Sequence, residues 1–299
     1  LRATRSHLLI FDQYLKRTNA EFASLTPFFF LEMRANLEME ARSINMVITT
    51  VRVFFQFLVR REYVDQIPLR DIPFLKENSI IPFVFSRKQT DQLLDAVCKG
   101  LRRRSSYFLT DLARYLAVVL MARCGMRISE PLKLMKQHYN RDDATLYIER
   151  TKFKKHRLIP IPRAVVIEIE NYLAVREQLC PQDQNPYLLI GGILKPIRDY
   201  RIRALFHKAV RKIGLDQPRQ IIGHVNFSHP TPHSLRHSFA VNTLLNIKER
   251  GQSPQHALPV LAAYMGHTLY KYTSVYLRVM DAMSRKKLVD FSLWQKRKQ

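Results

Sequence analysis

Four short stretches of this chain carry side chains able to handle an anionic substrate. The first, Cys124-Gly125-Met126-Arg127-Ile128-Ser129-Glu130-Pro131-Leu132, sets Arg127 at a junction between two apolar segments. An arginine there is held in place, whether it serves a ligand or simply pairs with Glu130 at the surface. The second, Thr151-Lys152-Phe153-Lys154-Lys155-His156-Arg157, gathers five basic or potentially basic side chains in seven residues. Such a turn could follow an anionic backbone, deliver a proton, or be an ordinary solvated loop. In the third, Thr231 to Ala240, His233 and Arg236 stand one helical turn apart on a common face, where both could address one phosphate. Spacing alone says little, because the same His-x-x-Arg recurs at His138 and Arg141. The fourth runs Tyr264-Met265-Gly266-His267 and continues to Tyr270, Tyr272 and Tyr276, a pattern that helix packing also produces.

These side chains need a scaffold, and the hydropathy pattern predicts mostly helices. Ser6 to Arg17, Pro27 to Ala41 behind a Thr26 cap, and Ser43 to Arg61 read as a helical bundle. In the third helix Ile44, Val47, Ile48, Val51, Phe54, Phe55 and Leu58 recur on one stripe, the mark of a buried face. Pro68, Pro73 and Pro82 then punctuate an extended connection between Asp65 and Phe85. Residues 1–75 are thus expected as an N-terminal helical domain, 76–85 as the linker, and 86–299 as a second domain. That domain opens with a Ser86/Gln89 capping box and a stop at Gly100. Helices are predicted at Ser106 to Cys124, Ile128 to Met135, Arg163 to Gln178, Asp199 to Ile213, Ser234 to Ile247, Pro259 to Met265, Tyr270 to Val279 and Asp281 to Lys296. Between the second and third of these, Thr145 to Glu149 and Arg157 to Ile161 predict a β-hairpin around the basic turn. The fold class is mainly α with a small β-hairpin or sheet: a helical first domain and a mixed α+β second one.

Charge is the abnormal quantity. In 299 residues, 49 Lys and Arg face 25 Asp and Glu, leaving +24, an excess that calls for a polyanion and first of all nucleic acid. The positives spread from Arg2 to Lys298, so folded surfaces rather than one basic tail should meet the phosphates. The strongest apolar run, Tyr115 to Met121, is far short of the ~20 residues of a bilayer span, so no membrane protein is expected and an anionic membrane surface is only the weaker alternative to nucleic acid. Cys98, Cys124 and Cys180 lie too far apart for a zinc ribbon or disulfide framework, and with no signal peptide evident a reducing cytoplasm fits. The acidic residues form no cluster suited to two metals beyond Asp142-Asp143 in a predicted turn, and no cofactor is expected.

In this order the four stretches resemble the tyrosine recombinase (phage integrase) family. That resemblance implies Arg127 as a first catalytic arginine, in a Gly-Met-Arg-Ile-Ser-Glu context, with Glu130 supporting it. Register against Arg157-Leu158-Ile159-Pro160 makes Lys152 the family's hairpin lysine, with Lys154 and Lys155 beside it and Lys154, Lys155 and Arg157 as DNA-binding residues. His233-Ser234-Leu235-Arg236-His237-Ser238-Phe239-Ala240 matches the family's octet without a gap, giving His233 and Arg236. Met265-Gly266-His267 gives His267, and the nucleophile is Tyr276, with Tyr272 one turn earlier as its rival. The helical N-terminal part looks like the family's core-binding domain. Lys248 to His256 exceeds the common pattern and is expected to lengthen a loop.

The chemistry so implied is strand cleavage and rejoining. Arg127 and Arg236 would neutralise the nonbridging oxygens of a scissile phosphate, with His233 and His267 adding hydrogen bonds. Tyr276 would attack, His233 would take its proton, and Lys152 would protonate the departing 5′ oxygen. The phosphoester is then traded for a 3′-phosphotyrosine, so rejoining needs neither metal nor ATP. The resemblance also implies a homotetramer on two double-stranded DNA sites, a docking segment within Asp281 to Trp294, possible accessory proteins, and integration, excision or resolution of a mobile element or replicon in a prokaryotic cytoplasm. The rival readings are type IB topoisomerase-like relaxation, a non-catalytic DNA binder of the same fold, and a metal-dependent nuclease.

Overall fold

The computed structural model describes residues 2–149, 156–192 and 195–282. In chain order it holds α1 (Arg2–Thr18), α2 (Pro27–Asn36), α3 (Ala41–Arg60), β1 (Ser79–Ile81), α4 (Arg87–Cys98) and α5 (Ser105–Arg123). Then come β2 (Tyr139–Asn140), β3 (Thr145–Ile148), β4 (Arg157–Pro160), α6 (Arg163–Leu179), β5 (Ile190–Gly192), β6 (Lys195–Pro196) and α7 (Asp199–Lys212). The last part is β7 (Gln220–Ile222), β8 (Val225–Phe227), α8 (Pro232–Glu249), α9 (Pro254–Met265) and α10, helical over 271–282. The fold is mainly helical with small sheets. It divides into two compact units, Leu1–Ile80 with Ile221–Asn226, and Ile81–Gln220 with Phe227–Gln299.

In the first unit the Thr26 hydroxyl accepts from the Phe29 amide at 3.4 Å, and Pro27 opens α2. Helix α2 stops at Asn36 instead of running to Ala41: Asn36 donates to the Tyr14 hydroxyl at 3.1 Å and Leu37 turns extended. Ile44, Val47, Ile48, Val51 and Phe55 of α3 are buried with Phe11, Tyr14, Phe30 and Met33. Among the described residues α3 alone is long and apolar enough to cross a bilayer; here its apolar stripe fills the core of the bundle. Within the expected linker, the Ser79 amide donates to the His224 carbonyl at 3.0 Å, and the short strands lie in the order β1-β8-β7.

The second unit is built around α5, whose Ala113 and Leu116 to Met121 are buried in one run, so the helix is covered on all sides. The predicted capping box forms: the Ser86 hydroxyl accepts from the Gln89 amide at 3.2 Å, and Gln89 Oε1 accepts from the Ser86 amide at 2.9 Å. Strands β3 and β4 pair antiparallel from Thr145↔Pro160 to Ile148↔Arg157, and β2 adds outside β3. No α-helix forms over 128–135. Single 3₁₀ turns stand at Pro131–Lys133 and Lys136–His138, because Leu134 accepts from the Leu188 amide at 2.7 Å and the Lys136 amide donates to Pro186 at 2.9 Å. Helix α9 begins at Pro254, not Pro259, which lies inside it. The residues expected to lengthen a loop, Lys248 to His256, instead complete α8, turn once and open α9. The buried faces of α8, α9 and α10 meet through Val241, Leu244, Leu258, Leu261, Tyr276 and Val279. The predicted C-terminal helix beyond 282 lies outside the described residues.

Candidate active site

Every described candidate residue lies in the second unit. Arg127 follows α5 after a turn at Gly125, whose φ of +59° favours glycine. A Cβ there would stand 2.4 Å from the Phe239 ring, itself stacked on Tyr264. Glu130 grips Arg127 twice: Oε2 accepts the backbone amide at 2.8 Å and Oε1 accepts Nη1 at 2.9 Å. Arg236, in the second turn of α8, is 1% exposed and donates from Nη1 to the Gly125 carbonyl at 2.7 Å and from Nη2 to the Met265 carbonyl.

The carboxyl end of α9 gathers these cations. The Tyr264 carbonyl accepts from Arg157 Nε at 2.9 Å, Met265 from Arg236, and Gly266 from Arg127 Nη2 at 3.4 Å. Terminal helix carbonyls lack intrahelical partners and carry partial negative charge, so three successive ones form a natural seat for guanidinium groups. Gly266 ends the helix in the left-handed conformation, φ +64°.

Electrostatics join these groups to the phenol. Burial pushes the Glu130 carboxyl up, but its bonds from Arg157, the Arg127 amide and the Arg236 charge outweigh that and hold it below the usual carboxylate value. Burial, helped by repulsion from Arg127, brings Arg236 down to about 10, leaving it charged near neutrality. Burial raises the Tyr276 phenol, while Arg236 and then Arg127 pull it back. Both arginines therefore act on the same hydroxyl. Tyr276 is 3% exposed and packs against His267 at 6.2 Å and His237 at 5.7 Å between ring centroids. Tyr272 also meets the His267 ring, at 6.4 Å between centroids, but it is 48% exposed with the Lys271 ammonium over its ring, so burial is what sets Tyr276 apart. His267 Nδ1 lies 2.7 Å from Thr273 Oγ1, so only Nε2 remains to serve a phosphate. Burial, then Arg236 and Arg127, lower His267 to about 4, and it is neutral at pH 7.

The remaining expectations fare differently. His233 opens α8 but is exposed, its ring 4.6 Å from that of His237. His237, to which no motif spacing assigns a role, touches both His233 and Tyr276; its place four residues after His233 on one helix is the available signal. Burial, then His233, lowers it to about 3. Arg157, expected to bind DNA, points inward instead: it shares a strand face with buried Ile159 and is spent on Glu130. Lys152, Lys154 and Lys155 lie outside the described residues. No group of three or more His, Cys, Asp or Glu side chains is arranged for a metal among the described residues.

The profile of the phage integrase family matches residues 84–283, and the chain belongs to that family, the tyrosine recombinases, as an enzyme of DNA strand cleavage and rejoining. It is 30% identical over 228 residues to the y4rB protein of Sinorhizobium fredii, covering 76% of this chain and 71% of that one. It is 28% identical over 238 residues to tyrosine recombinase XerA of Pyrococcus furiosus, covering 80% and 70%. Its fold is similar to that of the XerH site-specific recombinase bound to a palindromic difH substrate in a post-cleavage complex, with a TM-score of 0.75, 16% identity, and 98% and 79% of the two chains covered.

Proposed function

We propose that Tyr276 is the nucleophile of a site-specific recombinase acting on double-stranded DNA, and that Arg127 and Arg236 bind the scissile phosphate. The observation carrying this reading is that two guanidinium groups far apart in the chain meet on the Met265 and Gly266 carbonyls while the next residue, His267, packs its ring on the buried Tyr276. In the cleavage step the Tyr276 oxygen bonds to phosphorus, the bond to the 5′ oxygen breaks, and the phenolic proton passes to His233, whose ring contact runs through His237. Lys152 gives a proton to the departing 5′ oxygen. Arg127, Arg236 and His267 Nε2 stabilise the charge on the nonbridging oxygens. Fixed cations thus do the work asked of a metal, and trading one phosphoester for another asks for no ATP.

Exchange of four strands needs four tyrosines, hence a tetramer on two DNA sites. Such an enzyme would work at the nucleoid, integrating, excising or resolving a mobile element or replicon. The test is a nicked suicide duplex from the native locus, incubated with the protein in EDTA, followed by peptide mass mapping. A DNA adduct on Tyr276 is expected; an adduct on Tyr272, or none, contradicts the reading.

A further inference from the structure

Arg157 is the first residue of β4, and the two-residue alternation of a strand sends it to the same side as Ile159. Its side chain is only 8% exposed. Nη1 donates to Glu130 Oε1 at 3.0 Å, Nη2 to Oε2 at 2.9 Å, and Nε to the Tyr264 carbonyl at 2.9 Å. Each oxygen of Glu130 therefore accepts one bond from Arg157 and one from Arg127. The fit around Arg157 is close: a Cβ on Gly266 would stand 3.2 Å from its Cδ and Nη1.

We infer that Arg157 is a positioning residue for DNA cleavage, neutralising and locking Glu130 so that Arg127 is aimed without being cancelled, and tying β4 to the arginine seat at the end of α9. The inference rests on the proposed roles of Arg127 and Tyr276. Its logic is a charge count. Arg127, Arg236 and Arg157 against Glu130 leave a net charge of two positives beside the phenol. A phosphodiester brings one negative charge, and attack by the phenolate brings a second, so the full set matches the transition state. Without Arg157, Arg127 and Glu130 become a neutral pair, and Glu130 keeps only its two bonds from Arg127, one to the main chain and one to the guanidinium it should aim. The arrangement also gives the bidentate fork a purpose that a lysine, a point charge, serves less well.

The test compares the parent with Arg157→Gln, Arg157→Lys and Arg157→Gln combined with Glu130→Gln. Single-turnover adduct formation is followed on saturating suicide duplex, binding on an uncleavable duplex across a salt series, and folding by thermal melts. Arg157→Gln is expected to lower the cleavage rate constant by about 10²-fold, the scale of a misplaced catalytic group. DNA affinity should stay within about threefold and the salt slope should not change, because a buried arginine displaces no counterion. Arg157→Lys should fall between parent and Arg157→Gln, and removing the stranded carboxylate in the double variant should recover about tenfold. Parental cleavage by Arg157→Gln overturns the inference. So does a loss confined to affinity with the salt slope reduced by about one, the sign of a direct phosphate contact. A lysine variant and a double variant both as slow as Arg157→Gln would reduce Arg157 to a mere structural brace. If Arg157→Gln fails to melt cooperatively, Arg157→Lys decides alone: slowed cleavage at parental affinity supports the inference and a parental rate overturns it. A parent that forms no adduct overturns the proposed nucleophile, and this inference with it, whereas a cleaving parent with an equally fast Arg157→Gln overturns only the latter.

Discussion

Gly125→Ala should damage the site through a single methyl group. At φ +59° a side chain costs about 1–2 kcal/mol in backbone strain alone. The new Cβ would also stand 2.4 Å from Phe239 Cδ1 and 2.9 Å from Cγ. Phe239 cannot simply yield, because its ring is stacked on Tyr264 at 5.4 Å. Forcing atoms into such a contact adds about 1–3 kcal/mol. The expected loss, about 2–5 kcal/mol, is read by urea denaturation, and for a folded unit of this size each kcal/mol lowers the melting midpoint by about 2–4 °C. Gly214→Ala is the internal control, since its φ of +69° carries the backbone cost while a Cβ there meets nothing within 4 Å. Phe239→Ala should relieve the clash, so the double variant should be more stable than the two single losses together imply. Equal losses for Gly125→Ala and Gly214→Ala, or strict additivity with Phe239→Ala, would refute the reasoning. Because the Gly125 carbonyl seats Arg236, cleavage should slow along with the loss of stability.

Acid should weaken the second unit well before its carboxylates titrate. His237 sits at about 3 in the folded chain against ~6.5 unfolded, so between those values the unfolded chain binds more protons and stability falls as pH drops, by up to about 1.4 kcal/mol per unit. His267, at about 4, adds in the same direction with less weight because water reaches it. Denaturation curves at about pH 7.5, 6.5 and 5.5 check this, and a flat profile contradicts it. Lys152→Ala should slow cleavage by about 10²–10⁴-fold, and a sulfur at the 5′ bridging position should restore most of the rate, since a thiolate leaves without a proton. A sulfur substrate that rescues nothing would remove Lys152 from the role of acid.

Much of the scaffold was legible because it is local. The Thr26 and Ser86 caps and the α3 stripe depend on residues a few positions apart, the β3/β4 pairing on residues no more than 15 apart, and each forms as expected. The segment 128–135 was misread because its conformation is set from 186–188, half a hundred residues away, and no periodicity records that pairing. Pro259 looked like a helix start, but Leu258 and Leu261 both face a core that holds the helix together across the proline. At the site, the order of motifs pointed to Arg127, Arg236, His267 and Tyr276, which the fold gathers. The inward turn of Arg157 was open to strand alternation with Ile159, yet its basic neighbours suggested the surface. The use of three α9 carbonyls as an arginine seat had no sequence signal, because backbone acceptors look alike at every position.

The central claim is that Arg127 and its partners act on the negative charge of a scissile phosphate beside Tyr276. A methylphosphonate at that position replaces a nonbridging oxygen with a methyl group and removes the charge. Arg127→Ala should lose about 10²–10³-fold in adduct formation on the ordinary duplex, yet differ from the parent by less than about tenfold on the methylphosphonate. An equal loss on both substrates would contradict the account.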